Sequence, residues 1–344
     1  MDKKKILERL QTPKAVRWFW IILCAPVALI LLLLLLTRLG AFGKLPTFEE
    51  LENPKSNLAT EIYSDDGEMI GSFFIQNRSY VDYNELSPAL VAALISTEDM
   101  RFYSHSGIDF ISLARVAVKT LALGNRRQGG GSTITQQLAK NLYPRDTAVY
   151  NNPISKGSKL VISKLKEWIT AVMLEYNYTK EEIITMYLNT VPYGSNAYGI
   201  KSAARTFFNK LPSELNVQEA AMLVGVVNAP TRYSPRSNPD RALARRNTVI
   251  SRMREKGYLT RAQRDSIQAL PIELDFRPIS HNAGTGTYFR EMLRMVMTSG
   301  KPSRESFGPG AAGDWDYRQA VEQWESNPLY SWCDKNVKAN GQPY

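Results

Sequence analysis

Two segments of this chain combine residue types that could do acid–base chemistry and bind an anion. Glu98 and Asp99 open the run EDMRFYSHSG, and a second run further along, GGGSTITQQLAKN, joins three glycines to a polar-faced helix. Glu98 falls at the end of a predicted helix, where the helix dipole and the adjacent Asp99 both favour a raised carboxyl pKa. That pattern suits a general base near neutral pH. A lone Glu-Asp pair is more often a solvated helix end, and a lone His105 is more often structural.

The glycine-rich run predicts an anion site at the start of a helix. Ser132 is the predicted N-cap after the flexible segment 124–131. Four polar residues share one helix face at i, i+3, i+4 and i+7: Thr133, Gln136, Gln137 and Lys140. Free backbone amides together with Lys140 could hold a pyrophosphate. An ordinary surface helix is an equal alternative, and the missing GxxxxGK[ST] pattern argues against nucleotide hydrolysis.

A third segment, Ser163-Lys-Leu-Lys-Glu167, places Lys164 and Glu167 three residues apart on one helix face. An exposed salt bridge is the usual interpretation of such a pair. The segment also matches the SxxK nucleophile motif of penicillin-reactive enzymes. No KTG or KSG sequence follows Ser280-His-Asn282, so we interpret that match as accidental.

Periodicity predicts that these segments lie in a mainly helical protein. A short hairpin is expected over 61–75, and a helix capped by Ser87 is expected to end near Glu98. Seven further helices are predicted at 110–123, 133–142, 154–175, 180–189, 199–208, 217–227 and 241–256. Thr179 and Glu182 form a predicted capping box.

The N-terminal region has the pattern of a membrane anchor. No side chain from Trp18 to Leu36 is charged, and at about 1.5 Å per residue this run nearly spans a hydrocarbon core of roughly 30 Å. Six basic residues precede the run: Lys3, Lys4, Lys5, Arg9, Lys14 and Arg17. The positive-inside rule then places the N-terminus in the cytoplasm and the rest of the chain outside. A cleaved signal peptide is the alternative, although the run is long and no A-x-A site follows it.

Composition limits the classes of partner and cofactor. The net charge of +10 favours anionic lipid headgroups or pyrophosphate over nucleic acid for an exported chain. Two histidines and no CxxC pair give little material for a structural zinc site. No protein-bound metal is predicted, and a divalent cation, Mg²⁺ or Mn²⁺, carried with a pyrophosphate is left open.

Five motifs, taken in order, resemble those of peptidoglycan glycosyltransferases. They are EDMRFYSHSG, GGSTITQQLAKN, KLKE, YLNTVPYG followed by GIKSAARTFFNK, and EAAMLVGVVNAPTRYSP. The match covers roughly residues 60–260 and is similar to the glycosyltransferase module of a class A penicillin-binding protein. The resemblance implies a mainly α fold, with a lysozyme-like lobe and a small jaw subdomain preceded by one transmembrane helix. It also implies that lipid II is polymerised into glycan strands with inversion and release of undecaprenyl pyrophosphate.

The resemblance also assigns roles to residues. Glu98 matches the general base and Glu167 the second essential carboxylate. Nine residues match substrate-binding positions: Asp99, Phe102, His105, Ser132, Thr133, Gln136, Gln137, Lys140 and Lys164. Ser163 stands where the family's RKxxE motif has an arginine, so one cation for the diphosphate is missing.

The resemblance organises the chain into five parts. These are a cytoplasmic tail (1–17), a membrane anchor (18–37), a juxtamembrane linker (38–59), the glycosyltransferase domain (60–270) and a linker or start of a missing transpeptidase region (271–344). Within the last part, Gly308 to Asp314 and the polar segment after it are expected to be linker. Expected partners are lipid II, the growing glycan strand, membrane lipids and cell-wall synthesis proteins. Paired carboxylates also serve glycoside hydrolysis, so a lysozyme-like wall-cleaving enzyme and a non-catalytic scaffold are the alternatives.

Overall fold

A computed structural model describes residues 13–43, 45–47, 60–67, 69–73, 77–78, 80–123, 131–143, 153–278 and 286–336. The chain divides into two compact units. The first unit comprises Met1–Leu58 and Ile75–Pro278, and the second comprises Ala59–Phe74 and Ile279–Tyr344. The predicted boundaries at 60 and 270 differ from this division, because the N-terminal hairpin belongs to the second unit.

The first unit begins with helix α1, Pro13–Arg38, which covers the predicted anchor. Its large apolar side chains are mostly exposed, and the Arg38 guanidinium contacts the Met173 sulfur at 3.8 Å. By length and hydropathy, no helix within the described ranges qualifies as a membrane span.

The centre of the first unit is α2, Pro88–Glu98, whose sequence PALVAALISTE is apolar on almost every face. A helix that is apolar all round belongs inside a protein, and Leu90 and Ala92–Thr97 are all buried. Ser87 begins α2, because its hydroxyl accepts the Leu90 amide at 3.2 Å and Pro88 occupies the first turn. The residue that ends α2, Glu98, is therefore presented from a fixed point of the core.

The remaining helices of the first unit match the predicted periodicity closely. They are α3 (Phe110–Leu123), α4 (Ile134–Leu142), α5 (Pro153–Asn177), α6 (Lys180–Thr190), α7 (Ile200–Phe208), α8 (Val217–Val227), α9 (Pro239–Glu255) and α10 (Arg261–Ala269). Two of them, α8 and α9, pack against α2. The Thr179–Glu182 capping box before α6 is confirmed, with Thr179 N donating to Glu182 Oε2 at 2.7 Å. Helix α10 was not predicted from the sequence. The mainly α class is confirmed.

The strands are few and short. In the second unit, β1 (Thr60–Tyr63) and β2 (Met69–Phe73) form the expected antiparallel hairpin. In the first unit, β3 (Asn77–Arg78) pairs in parallel with β5 (Ala197–Tyr198), which also pairs antiparallel with β4 (Pro192–Gly194).

The C-terminal part of the second unit corrects one prediction. We expected linker from Gly308 onward, but a helix, α12, spans Gly310–Ser326. It follows α11 (Thr287–Met297) and precedes α13 (Trp332–Lys335). The three glycines near residue 310 suggested a flexible segment, whereas the aromatic and aliphatic residues after Asp314 continue with helical spacing.

Candidate active site

Glu98 lies at the end of α2 in a position fixed by two other helices. Its side chain is 11% exposed. Its Oε2 accepts a 2.8 Å hydrogen bond from Gln137 Nε2 on α4, and its Oε1 lies 3.9 Å from Arg245 Nη2 on α9. The carboxylate is therefore oriented from both sides and keeps one oxygen without a close hydrogen bond from either group.

Gln137 is in turn held by a buried tyrosine. The Tyr187 hydroxyl on α6 donates to Gln137 Oε1 at 3.0 Å, and Tyr187 is fully buried. Burial first, and the nearby Glu98 charge second, hold the pKa of Tyr187 well above its usual range. The neutral phenol donates a hydrogen bond to Gln137 Oε1. This contact fixes the orientation of the Gln137 amide, so its NH₂ group faces Glu98. Gln137, predicted to bind substrate, here orients the candidate base.

Asp99 turns away from Glu98 and into the protein. Its Oδ2 accepts the Ile134 amide at 3.2 Å and lies 2.9 Å from His105 Nε2. Asp99 is 6% exposed and the His105 side chain 7%. Asp99 and His105 thus connect the start of α4 to the turn after α2. Their role here is structural, and their side chains do not form a surface open to substrate.

This contact also changes the predicted anion cradle. Thr133, not Ser132, caps α4, since its hydroxyl accepts the Gln136 amide at 3.1 Å. The Ile134 amide is taken by the Asp99 carboxylate. Two of the amides at the start of α4 therefore already have acceptors within the protein, and a pyrophosphate site at this helix terminus stays a prediction.

Gln136 and Thr133 are fixed by the same turn. Thr133 Oγ1 and Gln136 Nε2 donate to the Gly107 carbonyl at 2.7 and 3.2 Å. Both residues are buried, so neither is placed to contact a ligand. Gly107 has φ +86°, and a Cβ there would lie 2.9 Å from the Ala171 carbonyl carbon. The glycine of the HSG sequence is thus required by its backbone conformation and by close contact with α5.

Lys164 and Glu167 form the second polar group, on α5. Lys164 Nζ lies 2.6 Å from Glu167 Oε2 and donates to Ser132 Oγ at 3.3 Å. The Glu167 side chain is 5% exposed and that of Lys164 37%. The predicted surface salt bridge is therefore half-buried, with the cation toward solvent. Ser163 beside it is partly exposed, and Lys140 is exposed in the last turn of α4.

Helix α4 connects the two polar groups. Ser132, which Lys164 contacts, directly precedes the N-cap of α4, and Gln137, which contacts Glu98, lies four residues after that cap. At 1.5 Å per residue the two contacts are separated by roughly 7 Å along the helix axis. A proton acceptor and a lysine thus flank one short helix.

Lys180 and Glu175, which sequence reasoning missed, help to hold this arrangement together. Lys180 donates to the His105 carbonyl at 2.7 Å, pairs with Glu175 at 2.7 Å and lies 4.3 Å from the centre of the Phe102 ring. Glu175 accepts from the Thr135 hydroxyl at 2.6 Å. Phe102 is fully buried, so it supports the turn and does not contact a ligand directly. No sequence pattern marks the Thr135–Glu175 and His105–Lys180 contacts, because their members lie 40 and 75 residues apart.

One cluster of potential metal ligands occurs within the described ranges. Asp99, His105 and Asp109 offer ligand atoms within 4.8 Å of one another. Arg101 forms a bidentate pair with Asp109, and the Ile134 amide bonds to Asp99. Burial raises the pKa of Asp109, but hydrogen bonds from Arg101 and Ser112 outweigh it and lower that pKa well below its usual range. Because a cation and an amide already satisfy these carboxylates, the cluster does not fit a resident metal ion.

Comparison with known proteins identifies the family. The sequence model of a family described as Transglycosylase matches residues 66–254, just over half of the chain. Penicillin-binding protein 1A of Escherichia coli (strain K12) is 35% identical over 254 residues, which are 74% of this chain and 28% of that protein. Penicillin-binding protein 1A of Aquifex aeolicus (strain VF5) is 36% identical over 70% of this chain and 31% of that protein.

The solved structure of penicillin-binding protein 1A from Haemophilus influenzae is 23% identical and covers 71% of this chain and 24% of that one, with a TM-score of 0.37. This chain spans about a third or less of the length of the curated relatives it matches. The family match contains Glu98, the whole of α4 and the Lys164–Glu167 pair. The chain belongs to the transglycosylase family, as the transglycosylase module of a class A penicillin-binding protein.

Proposed function

We propose that this chain is a peptidoglycan glycosyltransferase that polymerises lipid II. Glu98 takes the proton from the 4-hydroxyl of the acceptor's N-acetylglucosamine. The resulting oxygen attacks the anomeric carbon of the donor's muramyl sugar with inversion. The bond from that carbon to the diphosphate breaks, and undecaprenyl pyrophosphate leaves with the bonding electron pair.

The observation that carries this proposal is the arrangement around α4. A mostly buried carboxylate, Glu98, is oriented by Gln137 of α4, and Lys164, paired with buried Glu167, contacts Ser132 just before the same helix. General base catalysis needs an oriented carboxylate, and a departing diphosphate needs a nearby cation. Both groups lie within the 66–254 family match.

The diphosphate is proposed to bind at Lys164 rather than at the start of α4. Lys164 is the more exposed member of its pair and reaches Ser132. Since Asp99 occupies the α4 N-terminus, an anion there would meet a negative charge. A Mg²⁺ or Mn²⁺ ion would then enter with the substrate's phosphates, near Glu167, rather than in a preformed protein site.

The membrane anchor is also part of the proposal. The full sequence has no charged residue from Trp18 to Leu36, and α1 is helical over that run. A lipid-linked substrate would be used by a domain tethered outside the cytoplasmic membrane, with residues 1–17 in the cytoplasm.

A polymerisation assay tests the activity. The purified full chain in detergent is incubated with fluorescent lipid II, and the products are separated by gel electrophoresis and then treated with a muramidase. We expect muramidase-sensitive polymer from the wild type and a loss of about 10³-fold in Glu98→Gln, the usual size of a general base effect. Glu255→Gln, which changes an exposed glutamate at the end of α9, is the matched control and should retain full activity.

Three outcomes would contradict parts of this proposal. Polymer formation that survives Glu98→Gln would remove Glu98 as the base. Release of muropeptides from purified cell wall, without polymer from lipid II, would identify a lysozyme-like hydrolase. No turnover of either substrate would indicate a scaffold. Repeating the assay with a chelator tests whether a divalent ion accompanies the diphosphate.

A further inference from the structure

Helix α9 brings a cation to the candidate base that no motif in the sequence singled out. Arg245 Nη2 lies 3.9 Å from Glu98 Oε1. The two side chains are 15% and 11% exposed, so little water screens their charges. They are 147 positions apart in the chain, and the packing of α9 against α2 and α8 brings them together.

Two neighbours keep Arg245 in this place. Its Nε points to the Gly225 carbonyl of α8 at 3.5 Å, and its guanidinium lies 5.6 Å from the centre of the Tyr233 ring. A Cβ on Gly225 would lie 3.1 Å from Arg245 Cγ. The glycine in the EAAMLVGVV sequence therefore gives the arginine stem the room to cross α8.

The next residue shows what a purely structural arginine looks like on the same helix. Arg246 is 1% exposed and donates to the carbonyls of Gln268, Leu270 and Pro271, which fixes the end of α10. Arg245 contacts a single carbonyl, at the long distance of 3.5 Å, and otherwise faces Glu98 and Tyr233. Its contacts contribute little to the hydrogen bonding of the fold, whereas its charge is directed at the carboxylate.

A second arginine of α9 fixes the backbone beside the base. Arg252 Nη1 donates to the Thr97 carbonyl at 2.5 Å, directly before Glu98. Burial lowers the pKa of Arg245, with a smaller lowering effect from Arg252, and the Glu98 charge opposes both. Helix α9 thus holds the end of α2 by Arg252 and faces the side chain of Glu98 with Arg245.

The two oxygens of Glu98 consequently differ. Oε2 accepts the 2.8 Å hydrogen bond from Gln137, while Arg245 stands 3.9 Å from Oε1, beyond normal hydrogen-bond length. A closed bidentate pair would occupy both oxygens and weaken the base, whereas this spacing leaves a lone pair of Oε1 available. The guanidinium charge still attracts the carboxylate and favours the rotamer that directs Oε1 toward Arg245.

We infer that Arg245 is a positioning residue for catalysis. It orients the Glu98 carboxylate so that Oε1, the oxygen nearest the guanidinium, takes the proton from the acceptor's hydroxyl group. This inference rests on the proposed function. Arg245 acts through Glu98 and does not need to contact the substrate. The proposed role of Arg245 requires a positive charge at this position but no bidentate contact. Lysine should therefore replace Arg245 better than it would replace an arginine in a bidentate pair.

The test compares Arg245→Met, Arg245→Gln and Arg245→Lys in the full chain by lipid II polymerisation, with kcat and KM measured separately. We expect Met and Gln to lower kcat by about 10- to 100-fold, part of the usual contribution of a general base, with KM within about twofold. Arg245→Lys should recover most of the rate. Arg241→Met, an exposed arginine on α9, is the control and should match the wild type.

Several results would overturn the inference while leaving the proposed function intact. A rise in KM with unchanged kcat would mean that Arg245 binds substrate, and an equal loss in Arg245→Lys would mean that shape rather than charge matters. Normal kcat in Arg245→Met or Arg245→Gln would remove the role altogether. If a thermal unfolding experiment shows that the Arg245→Met variant does not fold, the kinetics of the Arg245→Gln and Arg245→Lys variants still decide whether the inference holds. A wild type that makes no polymer would refute the proposed function instead.

Discussion

The two ends of the polar region around α4 are built differently. At the Glu98 end, the carboxylate is 11% exposed and is held by Gln137 and Arg245, with fully buried Tyr187 behind Gln137. At the Lys164 end, the cation is 37% exposed and contacts Glu167 and Ser132. Side chains of the protein itself orient the Glu98 carboxylate. The Lys164 ammonium group, by contrast, is exposed enough for a ligand to bind to it.

This difference indicates a division of work. A base must be held within a narrow geometry before the substrate arrives, since misplacement costs rate. A diphosphate brings its own strong charge and can order a partly exposed lysine on binding. We therefore expect changes at the Glu98 end to alter kcat alone, and changes at the Lys164 end to raise KM as well as lower kcat, because this lysine binds the diphosphate both before and during its departure.

The largest effect on this comparison is expected from Lys164→Met. Loss of a charge-assisted contact to the diphosphate should raise KM for lipid II by about 10- to 100-fold. Steady-state polymerisation over a wide lipid II range measures it, and Lys256→Met, an exposed lysine after α9, is the control. A fall in kcat with KM unchanged would refute the assignment of this end to binding.

A smaller effect is expected from Tyr187→Phe. It removes the hydroxyl that donates to Gln137 Oε1, so kcat should fall by about 3- to 10-fold, corresponding to one lost buried hydrogen bond, with KM unchanged. Tyr193→Phe is the matched control. Tyr193 is also fully buried, and its hydroxyl makes no hydrogen bond to the described part of the chain, so its loss should be neutral. Equal effects of the two substitutions would indicate a general packing defect instead.

The smallest effect is expected from Ser163→Arg, which restores the family's arginine beside Lys164. A partly exposed cation there is screened by water, so KM should fall by only about 2- to 5-fold. Ser163→Gln supplies a long neutral side chain as the control. If the arginine leaves KM unchanged or raises it, the missing cation is not what limits binding at this end.

Helix periodicity in the sequence was sufficient to place most of the fold. The predicted helix 110–123 agrees with α3, and 217–227 agrees with α8. These succeed because an amphipathic or fully apolar segment of this length has few other ways to bury its side chains. The prediction of a linker after Gly308 was wrong, since a helix spans Gly310–Ser326. The glycine cluster was given more weight than the helical spacing of the residues that follow it.

The residues near the two carboxylates were identified from the sequence, but their contacts were not. Gln137, expected to bind substrate, also donates a hydrogen bond to Glu98, and Asp99 accepts an amide at the helix terminus that was expected to bind an anion. Both contacts join residues 35 or more positions apart, for which a single sequence carries no signal.

The sequence by itself determined the helices, the order of the motifs and the two carboxylates with their neighbouring lysine. These follow from local spacing, which a 3.6-residue period expresses directly. Only the tertiary structure decided which side chains orient those carboxylates. Arg245 reaches the site because α9 packs against α2, and Tyr187 because α6 packs against α4, while Lys180 bonds to the turn after α2. Such packing is a property of distant segments rather than of any one of them.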